Sequence, residues 1–265
     1  MTKRTKTMKK VTLVIVSTFM LVLMLGMTTL ASEAALKKLK FGNTTTVQKT
    51  DRAAFKDYKI TVNRRSWIGF DGVGVMSNGM YTTLRVDILN SKKRKINSSS
   101  VTVHLEDDYY AQGMYLVNKG TYYLRVTASN PFVFNYATAG IKENSGAKRS
   151  KAKTLSRKKA RVGIIGINEK KNAADWYKIV LKKPAKPKFQ VASLSSKSWD
   201  GVKVEITSQS KVVRGTVLLR ATNERRSTTL QLQGNKRLPA GTYYVKVSRG
   251  TTAKGRDALY SVYWK

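Results

Sequence analysis

This 265-residue chain predicts an all-β fold: two tandem antiparallel β-sandwich (jelly-roll-like) domains behind an N-terminal signal peptide. Three observations carry that expectation. Short runs alternate apolar and polar side chains with period two, the signature of half-buried strands. Turn dipeptides punctuate the runs: Asp71-Gly72, Asn78-Gly79, Lys119-Gly120, Asp200-Gly201 and Pro239-Ala240-Gly241. Three sequence words also recur in the same order, about 120 residues apart, which marks two copies of one domain and not a short-unit solenoid.

Residues 1–34 read as an export signal. Lys3, Arg4, Lys6, Lys9 and Lys10 form a basic leader, Val11 to Ser32 carries no charge, and small residues follow. Ser32 and Ala34 fit positions −3 and −1 for cleavage after Ala34; Ala31 and Ala35 are alternative sites. An uncleaved anchor is the competing reading, because Val11–Leu30 is long enough to span a bilayer. With the signal cleaved, the chain keeps no stable membrane span. Both readings place the rest outside the cytoplasm, secreted to the exterior or held at the cell wall.

Residues 35–138 form the first predicted sandwich. Leu84, Val86 and Ile88 share one strand face, as do Val101, Val103 and Leu105. Residues 139–160 carry Lys142, Lys148, Arg149, Lys151, Lys153, Arg157, Lys158 and Lys159 against one acid, Glu143. Their mutual repulsion and low apolar content predict an extended basic linker. Residues 161–265 form the second sandwich, with alternation in Val202–Ile206 and Thr216–Arg220.

The recurring words are Asp57-Tyr58-Lys59-Ile60 with Asp175-Trp176-Tyr177-Lys178-Ile179, Leu84–Ile88 with Val202–Ile206, and Gly120-Thr121-Tyr122-Tyr123-Leu124-Arg125-Val126 with Gly241-Thr242-Tyr243-Tyr244-Val245-Lys246-Val247. In the last pair, Tyr122, Leu124 and Val126 belong to one face, and Tyr123 and Arg125 to the other. Tyr243, Val245 and Val247 likewise oppose Tyr244 and Lys246. Each copy therefore presents an outward aromatic beside a cation.

These words resemble the bacterial pre-peptidase C-terminal domain, a small β-sandwich often appended to secreted proteases. The second copy carries the fuller set: Val162–Ile167, Asp175–Ile179, Leu238–Val247 and Tyr260-Ser261-Val262-Tyr263. The first copy is degenerate, keeping Asp57–Ile60 and Gly120–Tyr123 with a divergent closing strand, Phe132–Tyr136. The resemblance implies a non-catalytic binding, targeting or accessory role.

Composition excludes several chemistries. With no Cys, there is no thiol nucleophile, disulfide or thiolate metal site; with one His, no multi-histidine metal site. His104 alternates with Val103 and Leu105 and reads as a solvated strand histidine, and no Gly-x-Ser-x-Gly elbow accompanies it. Glu106-Asp107-Asp108 is the sole acidic run and lacks calcium-loop spacing. Gly69, Gly72 and Gly74 read as a mobile hairpin without the pattern of a phosphate loop. Neither a cofactor nor a resident metal is expected.

Charge is the main functional signal. The chain carries 51 Lys and Arg against 15 Asp and Glu. Removing residues 1–34 takes away five basic residues and Glu33, which leaves 46 against 14, a net +32. Such a surface attracts polyanions within a Debye length of about 8 Å. The expected partners are anionic polysaccharides of the envelope or extracellular matrix, with extracellular nucleic acid as a further candidate. Attachment is assigned to Arg64, Arg65, Lys92, Lys93, Arg94 and Lys95 in the first module, and to Lys182, Lys183, Arg225 and Arg226 in the second. Trp67, Trp199, Tyr123 and Tyr244 are candidates for stacking on sugars or bases. The alternative function is a protein-binding accessory or modulator of a secreted protease.

Overall fold

The structure, a computed structural model, describes residues 42–51, 55–75, 81–82, 84–101, 103–104, 109–110, 113–194, 200–208, 212–221, 226–230, 237–250 and 257–265. The leader, the Asn78-Gly79 turn, the acidic run 106–108, Trp199 and Arg225 lie outside these residues.

In the first half the strands are β1 (Gly42–Asp51), β2 (Phe55–Val62), β3 (Ser66–Val75), β4 (Tyr81–Thr82), β5 (Leu84–Leu89), β6 (Lys95–Val101), β7 (Val103–His104), β8 (Tyr109–Tyr110), β9 (Gly113–Val117), β10 (Gly120–Thr127) and β11 (Phe132–Gly140). One sheet runs β2-β10-β5-β6. The other runs β1-β11-β3, with β9 and β4 both paired to β3. In the second half they are β12 (Lys153–Thr154), β13 (Arg161–Ile165), β14 (Ala174–Leu181), β15 (Phe189–Leu194), β16 (Asp200–Thr207), β17 (Val212–Ala221), β18 (Arg226–Leu230), β19 (Gly241–Arg249) and β20 (Ala258–Trp264). Their sheets run β12-β14-β19-β16-β17 and β13-β20-β15-β18. Apart from the short strands β4 and β12, the orders of these sheets match strand for strand: β2-β10-β5-β6 with β14-β19-β16-β17, and β1-β11-β3-β9 with β13-β20-β15-β18. The internal repeat is thus a repeat of topology. Among the described residues all strand pairings are antiparallel except β12 on β14.

Each half buries the alternate residues of both its sheets. Tyr58, Ile60, Leu84, Val86, Tyr122 and Leu124 meet Ile68, Phe70, Tyr115 and Phe134. In the second half Tyr177, Ile179, Val202, Val204, Tyr243 and Val245 meet Phe189, Val191, Tyr260 and Val262. Burial of each such side chain stabilises by about 1.5–3 kcal/mol before the entropy of ordering is counted. The tyrosine after each Gly-Thr serves core and turn at once. Tyr122 donates its hydroxyl to the Asn118 carbonyl at 3.0 Å, and Tyr243 donates to the Pro239 carbonyl at 3.0 Å.

The two sandwiches pack against each other through β1-β11-β3-β9 and β13-β20-β15-β18. Trp67, Leu116, Ala139 and Ile141 bury against Ile164, Ala192, Leu194 and Leu259. Ile167 of the second half inserts into the core of the first, and its N–H donates to the Leu116 carbonyl at 2.7 Å. The Leu116 N–H donates to buried Asp257 Oδ2 at 2.7 Å. The result is four stacked layers with β2-β10-β5-β6 and β14-β19-β16-β17 outermost.

Three sequence expectations differ from this architecture. Residues 139–160 are not an extended linker: Ala139 and Gly140 finish β11, Gly146 exchanges backbone hydrogen bonds with Trp176, Lys153-Thr154 pairs with β14, and Leu155 is buried in the second core. A single leucine and a few backbone bonds outweigh the repulsion of exposed lysines. Asp71-Gly72 lies inside β3, paired with Asn135 and Phe134 of β11, and Asp200-Gly201 opens β16. For the same reason Gly69, Gly72 and Gly74 form strand and not a mobile hairpin: all three pair with β11, and Gly69 and Gly74 pair on their other side too, which overrides local turn propensity.

Candidate polyanion-binding surfaces

On the outer sheet of the first sandwich, carboxylates sit between pairs of cations. Asp57 accepts from Arg125 Nε at 2.7 Å and Nη2 at 2.9 Å, with Lys93 Nζ at 3.3 Å. Asp87 lies 3.0 Å from Arg85 Nε and 3.3 Å from Lys95 Nζ. The Arg125 bond, helped by Lys93 and opposed by burial, holds the Asp57 carboxyl below its ordinary value. Burial opposes the same shift at Asp87, and the bonds from Ser98, Arg85 and Lys95 outweigh it. Lys59 is exposed on the same face. Four cations therefore share two aspartates here, Lys59 adds a fifth positive charge, and the face stays positive.

Lys92, Lys93 and Arg94 belong to the turn joining β5 to β6. Asn90 builds it: its side-chain oxygen accepts the N–H groups of Lys92 and Arg94 at 3.0 and 2.9 Å, and its carbonyl accepts that of Lys93 at 2.9 Å. Lys93 takes a left-handed backbone, φ 56°. That geometry favours Gly or Asn and costs a non-glycine residue about 1–2 kcal/mol. It returns the Lys93 ammonium over the Tyr123 ring, 5.1 Å from its centroid.

The second sandwich repeats the design with different residues. Glu205 lies between Lys203 Nζ at 2.9 Å and Lys246 Nζ at 3.4 Å. Burial raises its pKa, and the two lysines outweigh that and lower it. Arg149 covers the Tyr244 ring at 4.5 Å, and Lys246 lies 5.8 Å from the Trp176 centroid.

A further cationic area lies at one end and one edge of the second sandwich. The segment read as a linker forms a strap along β14, carrying Lys148, Arg149, Lys151 and Lys153. It then turns through Arg157, Lys158 and Lys159, where the Lys158 N–H donates to the Trp264 carbonyl at 2.8 Å. Lys188 and Lys265 exchange backbone bonds at 2.9 and 3.0 Å, and Ala185 does so with Leu238, which brings in Lys182, Lys183, Lys186 and Arg237. Residues 146–161, 182–190, 237–244 and 262–265 contain no Asp or Glu. Lys158, at φ 58°, is the second non-glycine residue with a left-handed backbone among the described residues. Each sandwich thus holds a lysine in a backbone geometry that suits glycine better, and both lie in basic turns.

The ten cations assigned from sequence fare differently. Arg64, Lys92, Arg94, Lys182 and Lys183 are exposed. Lys93 and Lys95 are exposed but shared with Asp57 and Asp87. Arg226 begins β18, and Arg225 is outside the described residues. Arg65 is no surface cation. Its side chain is 30 % exposed and lies among Glu143, Glu169 and Asp175, whose own side chains are 8 %, 5 % and 3 % exposed. It also donates to the Ile164 carbonyl at 3.1 Å, tying the first sandwich to the second. Burial first, then the neighbouring Asp175 charge, pushes the Glu143 carboxyl up to about 8 against the pull of Arg65. Ser145 Oγ is 2.7 Å from Glu143 and 2.9 Å from Asp175, yet has one hydrogen to donate. A protonated Glu143 resolves this, donating to Ser145, which donates to Asp175.

The stacking candidates also change. Trp67 is buried between the sandwiches. Tyr123 and Tyr244 do face outward, as their alternation predicts, but Lys93 and Arg149 cover their rings.

Sequence reasoning missed Arg157–Lys159, Lys186, Lys188, Arg237 and Lys265 as one surface. Their richness in Lys was visible, but their meeting depends on strand pairings far apart in the chain.

No family model matches the chain, and no curated protein matches it. Among solved structures it is similar to the CUB1-EGF-CUB2 region of human MASP-1/3, at 10% identity and TM-score 0.25, covering 84% of this chain and 99% of that one. The corresponding rat MASP-1 region gives 11% identity and TM-score 0.27, covering 82% and 96%. An oxalate decarboxylase from Bacillus subtilis gives 7% identity and TM-score 0.22, covering 83% and 68%. Likeness at this level carries no argument about activity or ligands. The resemblance to the pre-peptidase C-terminal domain rests on the sequence words alone.

Proposed function

We propose that this chain is an exported, non-catalytic binding protein that attaches by charge to anionic polymers of the cell envelope or extracellular matrix. The observation that carries the reading is the acid-free strap and end of the second sandwich, where residues distant in sequence converge into one cationic area. The strained lysines add support: Lys93 and Lys158 keep a long cationic side chain where glycine would relieve the backbone. The covered tyrosine rings favour a densely charged polyphosphate or sulfated chain over single-stranded nucleic acid, whose binding leans on base stacking.

Retention on an immobilised sulfated polysaccharide tests the proposal. Affinity should fall steeply between about 50 and about 500 mM NaCl, as each neutralised anion releases a counterion. Retention that ignores salt over that range overturns it.

A further inference from the structure

The stacking of the sandwiches has a consequence for valency. Each sandwich owns a cationic surface: the outer face and 90–95 turn in the first, the strap and acid-free end in the second. The sheets between them, β1-β11-β3-β9 and β13-β20-β15-β18, are buried against each other by Trp67, Leu116, Ile164 and Leu259. Arg65, the Asp257 bond to Leu116 and the Ile167 insertion fix that arrangement. At about 10 Å between packed sheets, the two outermost sheets lie about 30 Å apart; the first surface lies on one of them, and the strap of the second runs along the β14 edge of the other. The two surfaces are therefore not beads on a flexible tether that close on one strand.

We infer that the protein is a rigid bivalent cross-linker: each sandwich takes its own strand of a polyanion, and one molecule bridges two strands. The inference rests on the polyanion reading and deepens it. It names the partner as two separate segments of a phosphate- or sulfate-rich polymer, gripped by charge at two fixed and separate places. A flexibly joined pair of modules would instead gain avidity on a single strand through effective concentration. Here the buried junction removes the freedom that such closure needs.

Long-chain inorganic polyphosphate is the probe. Mixed with the full exported chain at low salt, it should assemble into particles seen by light scattering, and these should dissolve when polymer is in excess. Three variants separate geometry from bulk charge. Lys59→Gln with Lys92→Gln and Arg94→Gln weakens the first surface. Lys158→Gln with Lys159→Gln and Lys182→Gln weakens the second. Lys142→Gln with Lys170→Gln and Lys171→Gln removes the same charge outside both. The first two should still bind polyphosphate, yet scatter at least about tenfold less, because a monovalent protein cannot bridge. The third should scatter like the wild type. Equal losses in all three, or particles undiminished in the first two, overturn bridging and leave attachment standing. Wild-type protein that binds polyphosphate without assembling particles does the same. Wild-type protein that does not bind at all overturns the polyanion reading. A variant-free check covers misfolding: wild-type protein held on immobilised polyphosphate should capture fluorescent polyphosphate added afterwards, and failure to capture overturns bridging.

Discussion

Asp57 and Asp175 open the same recurring sequence word, yet they lie on opposite faces of equivalent strands. Tyr58 pairs with Leu124, and Tyr177 with Val245, so the tyrosines are the equivalent positions. Asp57 precedes its tyrosine by one residue and points outward to Arg125; Asp175 precedes its tyrosine by two and points into the protein. Asp175 accepts from the Tyr260 hydroxyl at 2.7 Å, and Tyr260 meets Tyr177 at 3.0 Å. One residue of offset converts a surface ion pair into the anchor of the inter-sandwich junction.

That offset predicts unequal costs. Asp175→Ala leaves the buried Tyr260 hydroxyl without its carboxylate acceptor and takes one of three acids from Arg65, and should destabilise by about 3 kcal/mol or more. Asp57→Ala breaks a half-exposed pair and should cost about 1 kcal/mol or less. Urea unfolding of both variants measures the difference; equal costs contradict the placement.

The junction should also weaken with alkali. Unfolded Glu143 releases its proton near 4.5, whereas the folded chain holds it to about 8. Between those values the folded state binds more protons, so this contribution to stability is full below about 4.5 and is lost as pH rises through 8. The lowered Asp57, Asp87 and Glu205 act oppositely, losing stability as pH falls below the ordinary carboxylate range. Stability should peak in mildly acidic solution and decline towards pH 8. Glu143→Gln should flatten that decline in a pH series of chemical melts; a parallel decline removes Glu143 as its source.

Lys93→Gly and Lys158→Gly should separate stability from binding. Glycine accepts a left-handed backbone without strain, so each variant should hold or gain up to about 1 kcal/mol. Each should bind polyphosphate more weakly, having lost a cation. Loss of stability without loss of affinity would contradict the reading of these turns.

The strap should resist trypsin despite its many Lys and Arg. Gly146 approaches the Lys151 carbonyl so closely that an added Cβ would lie 2.1 Å from that oxygen. Gly146→Ala should release the strap and expose Lys148–Lys159 to rapid cleavage while both sandwiches stay intact. Rapid cleavage of the wild type within 148–159 contradicts a docked strap.

Alternation and recurring words, both legible locally, were enough to read the all-β class and the twofold repeat, whereas two of the turn dipeptides, Asp71-Gly72 and Asp200-Gly201, belong to strands. The core faces of Tyr122-Leu124-Val126 and Tyr243-Val245-Val247 followed from period two alone. The surplus of cations was equally legible, since charge is additive and needs no geometry. Where those cations gather was not. Arg65 and Arg64 are neighbours in a basic dipeptide, but one is drawn into a pocket of three acids by residues 78 to 110 positions away. Arg157, Lys182, Arg237 and Lys265 stand far apart in the chain until backbone pairing brings them to one end. The strap looked unfoldable because its own composition cannot form a core; the second sandwich supplies one for Leu155. Long-range pairing and inter-sheet packing set these outcomes, and they depend on partners that no local window contains.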